Sequence, residues 1–346
     1  MTNLAHFPSQ SLVPPIRFRS IDAYLSQEFP VRHHLISEGI LPVGGKLLVG
    51  GQKGVGKTII MTQIACELAS ASPCLGLFNI PEPKRALVIQ KEVIDDELQD
   101  RLRITVNQYP GLHPDMLLIP NREDVRDIML DTWQGIKILD QCIDYYEPDV
   151  VFLDPIMWFH NIDEDKATEV KKILEPLNNL TVKYKCAFVI SHHFKKQVMD
   201  FKGKHLDQGL QDFRGSGVWG GWCDTALWAN DRGNDRLMLG SFLRNGSEQL
   251  PSVVLTLNRK QVRFEGQIQD EPTSTAEYAI AQILAMKPGY QCSYTDLESA
   301  LKQKKIGPRQ ANTAISTMKS KNMVYFIGNN SHRVVRLLSP QMRMWV

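Results

Sequence analysis

The chain has 346 residues, 43% of them hydrophobic and 23% charged, with a net charge of +2. That is the balance of a globular protein large enough for two cores, and it excludes a disordered, collagen-like or membrane-embedded chain. Six cysteines, at 66, 74, 142, 186, 223 and 292, form no C-x-x-C pair. Neither a zinc site nor a disulfide framework is therefore suggested, and a reducing compartment fits.

The opening MTNLAHFPSQSLVPP has no basic region followed by an apolar stretch, and no apolar run reaches membrane-spanning length. A cytoplasmic protein without membrane contact is expected. Residues 1–17 read as a flexible lead, and 18–40 as a short helix and a run into the core. KLLVG (46–50) predicts a buried strand and TIIMTQIACELA (58–69) a helix, with a glycine loop between them. RALVIQ (85–90), VVFLD (150–154) and CAFVIS (186–191) predict further strands, the last two bracketing a helix near 165–184. These runs are continuously apolar, as in parallel strands covered on both faces. TALWAND (225–231), RLMLGSF (236–242) and SVVLTL (252–257) predict later strands. The expected fold class is α/β, a P-loop core with a mostly parallel sheet over residues 18–264. Three tryptophans in GVWGGWCDTALW (217–228) serve either a core or an interface.

Residues 265–274 are polar and turn-rich and read as a linker. Over 275–340 the pattern predicts helices near 275–286 and 294–303, a third opening at Pro308, and strands around VYFIG and RVVRL. That is the order of a small winged helix-turn-helix domain. In the third helix Ala311, Ala314, Ile315 and Met318 share one face. Arg309, Gln310, Thr313, Ser316, Thr317 and Ser320 are left outward. Residues 273–346 hold ten Lys/Arg against three Asp/Glu, a net +7 that leaves −5 for the rest of the chain. A polyanion partner fits this end, with Arg309 and Lys319 as candidate nucleic-acid contacts; a solvated basic surface or a protein-docking module is the alternative.

Residues 51–58 read G-x-x-x-x-G-K-T, from Gly51 to Thr58. In a strand-loop-helix setting this pattern cradles phosphates on backbone N–H groups, so Gly51, Lys53, Gly54, Val55, Gly56, Lys57, Thr58 and Ile59 form a candidate ATP site. Lys57 neutralises the outer phosphates and the Thr58 hydroxyl suits Mg²⁺. Asp154, ending an apolar strand, is the second metal candidate. Pro155 follows it, which disfavours enzymes that carry the catalytic glutamate at that position. Glu92, just past the strand 85–90, is the candidate base that polarises water; Asp95, Asp96 and Glu97 close behind leave surface decoration as the alternative. His192 and His193 end the strand 186–191 as candidate hydrogen-bond donors to a γ-phosphate, or as loop histidines without a role. Lys195, Lys196, Lys202 and Lys204 make a basic loop that either tracks a phosphate backbone or is simply solvated. Arg214 in RGSG and Arg244 in LRNG are candidates for an arginine reaching a neighbour's nucleotide, against the alternative of surface ion pairs.

Together these motifs resemble the RecA/DnaB-type ATPases, and most closely the RepA-type hexameric replicative helicases, over residues 18–260. The resemblance implies a RecA-like core, with Glu92 as the catalytic glutamate and Asp154–Pro155 as the Mg²⁺-linked aspartate and its non-acidic successor. His192–His193 would be the γ-phosphate sensor pair, with His193 favoured. FRGSG resembles the RepA arginine-finger segment and implies Arg214. LRNG resembles K-x-R-N-G of DnaB-type helicases and implies Arg244, although Phe242 stands at the lysine position. The winged helix lies outside the shared core.

The resulting expectation is an ATP- and Mg²⁺-dependent DNA helicase or translocase of plasmid, phage or mobile-element replication. It would act as a homo-oligomeric ring, expected to be a hexamer, with ATP between subunits and loops near 157–170 and 195–212 moving along single-stranded DNA. The winged helix would take double-stranded DNA or a replication partner. Three rivals stand beside it: a recombination or annealing ATPase, a nucleotide-switched DNA-binding regulator, and a small-molecule kinase. The last finds no lid or acceptor pocket in the sequence.

Overall fold

Gly45–Lys46 opens the central strand because the chain turns there and five consecutive buried residues follow, a run that only a two-sided core accommodates. The computed structural model describes residues 18–28, 33–194, 213, 215, 217–244, 250, 253–268, 275–320, 323–327 and 334–337. Residues up to His33 form one unit and those from His34 another. The first holds helix α1 (Ile21–Leu25), capped by the Ser20 hydroxyl, which accepts from the Ala23 N–H. Helix α1 belongs to the first of these units and the large sheet to the second.

In the second unit the elements run β1 (His34–Ile36), β2 (Leu41–Pro42), β3 (Lys46–Gly51), α2 (Lys57–Ser70), β4 (Ala86–Gln90), α3 (Asp95–Val106), β5 (Leu117–Leu118) and α4 (Trp133–Tyr146). Next come β6 (Val150–Asp154), α5 (Ala167–Tyr184), β7 (Ala187–His193), α6 (Val218–Trp222), β8 (Thr225–Asp231), β9 (Arg236–Leu243), β10 (Val253–Asn258) and β11 (Arg263–Ile268). The chain continues with α7 (Thr275–Ala285), β12 (Gln291–Ser293), α8 (Tyr294–Gln303), α9 (Pro308–Ser320), β13 (Val324–Ile327) and β14 (Val334–Leu337).

Among the described residues the large sheet has nine strands in the order β11-β10-β9-β8-β3-β7-β6-β4-β5. From β8 to β5 the pairs are parallel, and from β8 to β11 they are antiparallel. The result is a mixed α/β fold with a large, mostly parallel sheet. Alternate residues of the parallel strands enter two different cores. Leu47, Val49, Val88, Phe152 and Val189 pack with α2 on one face. Leu48, Ile89, Val151, Leu153, Phe188 and Ile190 pack with α4, α5 and α6 on the other. Trp219, Trp222 and Trp228 join that second core, which resolves the tryptophan cluster as core.

The later strands join the sheet by another rule: β8 to β11 form an antiparallel meander, because connections as short as 232–235 cannot span a parallel crossover. The sheet also runs into the segment read as linker, since β11 continues to Ile268. Its edge is pinned by Gln63 of α2, whose side chain accepts from the Phe264 N–H (2.7 Å) and donates to the Phe264 carbonyl (2.8 Å).

Residues from α7 onward build their own core, with Ile280, Leu284, Leu297, Leu301, Met318 and Val335 at its centre. The three strands there pair in the order β12-β14-β13. Ala311, Ala314, Ile315 and Met318 of α9 are buried as expected, while Arg309, Gln310, Thr313 and Ser316 are exposed and Thr317 is half-buried. The Ser320 side chain lies outside the described residues.

Candidate active site

The glycine loop links β3 to α2. Gly54 and Gly56 hold φ values of +81° and +92°, left-handed angles that glycine adopts without strain, and a Cβ at Gly56 would lie 3.0 Å from the Phe264 ring. Gly56 is the N-cap of the 14-residue α2, and no side chain caps that end. The helix therefore turns first-turn N–H groups and its positive pole into the loop, an arrangement that fits a phosphate. Gly51 closes β3, Lys53 is exposed, and Val55 and Ile59 are half-buried along the loop and the first turn.

Lys57 is only 6% exposed. Its Nζ donates to the Gly51 carbonyl (3.1 Å), the Gln52 carbonyl (3.0 Å) and His193 Nδ1 (3.0 Å). An ammonium only donates, so Nδ1 is the acceptor and the ring proton sits on Nε2. Burial pulls the Lys57 pKa down to about 8, and the charges of Asp154 and Glu92 oppose that fall. Both carboxylates thus lie within electrostatic reach of the ammonium.

Asp154 is buried and accepts hydrogen bonds from the hydroxyls of Ser191 and Thr58. Burial pushes its pKa up, while those two hydroxyls and Lys57 pull it down. A threonine hydroxyl on a carboxylate is the hard-oxygen donor set that suits Mg²⁺. Glu92 is exposed two residues past β4, its N–H donating to Gln90 Oε1 (3.2 Å). Register brings these groups together: Gly51 pairs with His193 across β3 and β7, and Gln90 pairs with Asp154 across β4 and β6. All stand at the carboxyl edge of the parallel strands, where open α/β sheets bind ligands.

The other expected residues are placed differently. His192 is 1% exposed and points to the opposite face of β7 from His193, as successive strand residues must. It lies against Trp219, with ring centroids 4.5 Å apart. Arg244 donates to the carbonyls of Gly220 (3.4 Å) and Gly221, and its N–H bonds the Asp224 carbonyl. Asp224 is itself bound to Lys46, at the amino end of β3. Arg244 therefore stands at the far edge of the sheet from the glycine loop, about 17 Å away along β3. Arg309 and Lys319 are exposed on α9, and the Lys319 ammonium lies 5.6 Å from the Phe326 ring centre. Lys195, Lys196, Lys202, Lys204 and Arg214 lie outside the described residues.

Two residues of this edge were not singled out from the sequence. Ser191 orients Asp154 and is the residue just before the histidine pair. Lys91, buried beside Glu92, donates to the carbonyls of Ile128 (2.9 Å) and Arg126 (3.2 Å) and caps the Phe159 ring at 4.5 Å. Burial lowers its pKa to about 8. A lysine adjoining the candidate base was its only signal.

Residues 13–199, more than half of the chain, match the family described as AAA domain. The chain belongs to this family of P-loop ATPases. Among solved structures the chain is similar to a KaiC-like protein of the hyperthermophilic archaeon Pyrococcus horikoshii OT3, with a TM-score of 0.45 and 14% identity. That similarity covers 67% of this chain and 93% of the other. No curated protein matches the chain. No helix among the described residues is long and apolar enough to cross a membrane.

Proposed function

We propose that the chain is a Mg²⁺-ATP hydrolase with a RecA-like core that works as a DNA helicase or translocase. The observation that carries this reading is the grouping of Lys57 on His193 and of Thr58 on Asp154 at one sheet edge. The order β8-β3-β7-β6-β4 also supports it, since β7 separates the loop strand from the aspartate strand. Bound Mg²⁺-ATP would supply the γ-phosphoryl group. Gly51, Lys53, Gly54, Val55, Gly56, Lys57, Thr58 and Ile59 would hold the nucleotide, with Thr58 and Asp154 on the metal. Glu92 would take a proton from the attacking water, and His193 would sense the γ-phosphate beside Lys57. His192 would back His193 from the other side of the strand.

Arg244 stands too far from its own chain's loop to act there, which supports a ring in which an arginine reaches the neighbouring copy; Arg214 is the second candidate. In this reading residues 34–268 form the ATPase core and 275–340 a winged helix-turn-helix, with Arg309 and Lys319 turned to DNA. Lys195, Lys196, Lys202 and Lys204 would follow a single strand. The test is steady-state ATP hydrolysis with and without single-stranded DNA. We expect stimulation by the strand and its loss, by about 10²–10⁴-fold, in Glu92→Gln. Hydrolysis indifferent to every single strand would overturn the motor.

A second reading has its own observation. The exposed polar face of α9, on a segment of net charge +7, also suits a nucleotide-switched reader of duplex DNA. Tight binding to one duplex sequence without unwinding would favour it.

A further inference from the structure

β4 sends alternate residues into two cores. Leu87 and Ile89 enter the core shared with α4 to α6, and Lys91 continues that series one step past the strand. A third apolar residue would fit there, since Ile128 and Phe159, which the Lys91 side chain meets, belong to the same core. Instead the position holds a lysine only 8% exposed. Its Nζ donates to the carbonyls of Ile128 (2.9 Å), Arg126 (3.2 Å) and Trp158 (3.4 Å), a partner for each N–H of an ammonium. Met129 Sδ lies at 3.8 Å and the Phe159 ring centre at 4.5 Å. Among the described residues no carboxylate hydrogen-bonds it. Taking an ammonium out of water without a paired carboxylate costs stability, so packing alone would favour leucine or methionine here.

The neighbours of Lys91 give it a role. The segments it grips are 126–129, which leads into α4, and 158–159, which follows β6 and Asp154. They are joined to each other as well, the Leu130 N–H donating to the Phe159 carbonyl (2.6 Å). The backbone of Lys91 is also tied, its N–H donating to the Asp154 carbonyl (3.0 Å). One residue on, the Glu92 N–H bonds Gln90 Oε1 (3.2 Å). Gln90 closes the same turn on Val93, accepting from its N–H (2.8 Å) and donating to its carbonyl (2.8 Å). The Glu92 carboxylate lies within electrostatic reach of Lys57 and Asp154.

We propose that Lys91 is a positioning residue for Glu92: its buried ammonium locks the end of β4 onto segments 126–129 and 158–159, and so holds the Glu92 carboxylate at the edge beside Asp154. The proposal rests on Glu92 as the base of the proposed ATP site. Lys91 touches neither nucleotide nor water in this role. It fixes the backbone from which Glu92 springs, and a carboxylate displaced by about 1 Å loses most of its effect on an attacking water. Removing the ammonium therefore leaves nucleotide binding in place and slows the chemical step.

The test uses the full chain with Lys91→Met, Glu92→Gln and the double variant. Methionine nearly keeps the length of the side chain and removes its charge. Affinity for a fluorescent, non-hydrolysable ATP analogue with Mg²⁺ is measured first, then ATP hydrolysis in a single turnover. We expect Lys91→Met to bind the analogue within about twofold of the wild-type affinity and to hydrolyse ATP about 10–100-fold more slowly. In the Glu92→Gln background the same substitution should change the rate by less than about twofold, because the residue it positions has lost its function. A full further loss in the double variant would show that Lys91 acts by another route and would overturn the proposal. Hydrolysis by Lys91→Met at the wild-type rate, or a loss of affinity as large as the loss of rate, would overturn it too while leaving the ATP site standing. Wild-type protein that hydrolyses no ATP removes the ATPase reading itself, and this proposal with it. Should Lys91→Met fail to fold, Phe159→Leu decides. It takes the ring from the ammonium and keeps an apolar core, so it should slow hydrolysis about threefold or more at unchanged affinity, again only where Glu92 is present. Full turnover in Phe159→Leu would then end the positioning role.

Discussion

The two halves of the large sheet are built on opposite rules. β3, β4, β6 and β7 are buried almost from end to end, because α2 covers one face and α4 to α6 the other. β9, β10 and β11 mix buried and open residues, because their second face is covered less fully than their first. Chemistry gathers on the first half. Its strands are parallel, so their carboxyl ends coincide and bring Gly51, Asp154 and His193 to one edge. The antiparallel half contributes Phe264 beneath the loop and Arg244 at the opposite edge. Convergence at one edge is a property of parallel strands, and the antiparallel half lacks it.

The largest expected effect is at the convergent edge. Lys57→Ala removes the cation proposed to neutralise the outer phosphates, and should lower ATP turnover by about 10³-fold or more while the fold persists. Steady-state hydrolysis with a melting curve checks both parts. A variant retaining a tenth of the rate would break the link between the parallel edge and the chemistry.

Cores come next. Phe152 of β6 is fully buried between α2 and the sheet, and Phe152→Ala should cost about 3–5 kcal/mol. Leu255→Ala of β10, also fully buried, should cost about 2–5 kcal/mol, with the site spared. Chemical denaturation with the ATP-analogue affinity measured alongside separates the two halves.

This contrast also explains what the sequence made legible. VVFLD is a strand over the very residues 150–154 read from it, because five apolar residues in a row admit few other answers. β11 went unread because RFEGQI is polar and holds a glycine; its stability comes from Gln63 on α2, a partner two hundred residues away in the chain. α3 buries only Leu98 and Thr105, so its sequence carries little apolar periodicity. In the site, Lys57, Thr58, Asp154 and Glu92 were legible through spacing and strand ends. That His193 faces Lys57 while His192 turns to Trp219 depends on the pleat phase of β7, which an apolar run does not reveal.

Glu67 offers a smaller test, on the face where α2 meets the sheet. It is buried and accepts from Gln63 Nε2 (2.8 Å), the Leu75 N–H (2.8 Å) and the Tyr109 hydroxyl (3.3 Å). Burial outweighs those bonds and raises its pKa from 4.5 to about 7. Between those values the folded protein holds a proton that the unfolded chain has released. Stability from this group is therefore full below pH 4.5 and falls as pH rises through 7, by up to about 3 kcal/mol. Melting temperature against pH should show this decline in the native protein, and Glu67→Gln should lack it.

The smallest effect on stability is expected at Arg244, and it bears hardest on the contrast between the halves. Its guanidinium is exposed and, among the described residues, bonds the carbonyls of Gly220 and Gly221, so Arg244→Ala should shift unfolding by no more than about 0.5 kcal/mol. If it serves a neighbouring copy, the variant should still lose turnover. Mixing Arg244→Ala with Lys57→Ala protein should then restore part of it. In a mixed assembly some sites join an intact Lys57 from one subunit to an intact Arg244 from the next, although neither variant has a complete site alone. No recovery at any mixing ratio, with assembly verified by light scattering, would remove Arg244 from the site and leave the antiparallel half a purely structural wing.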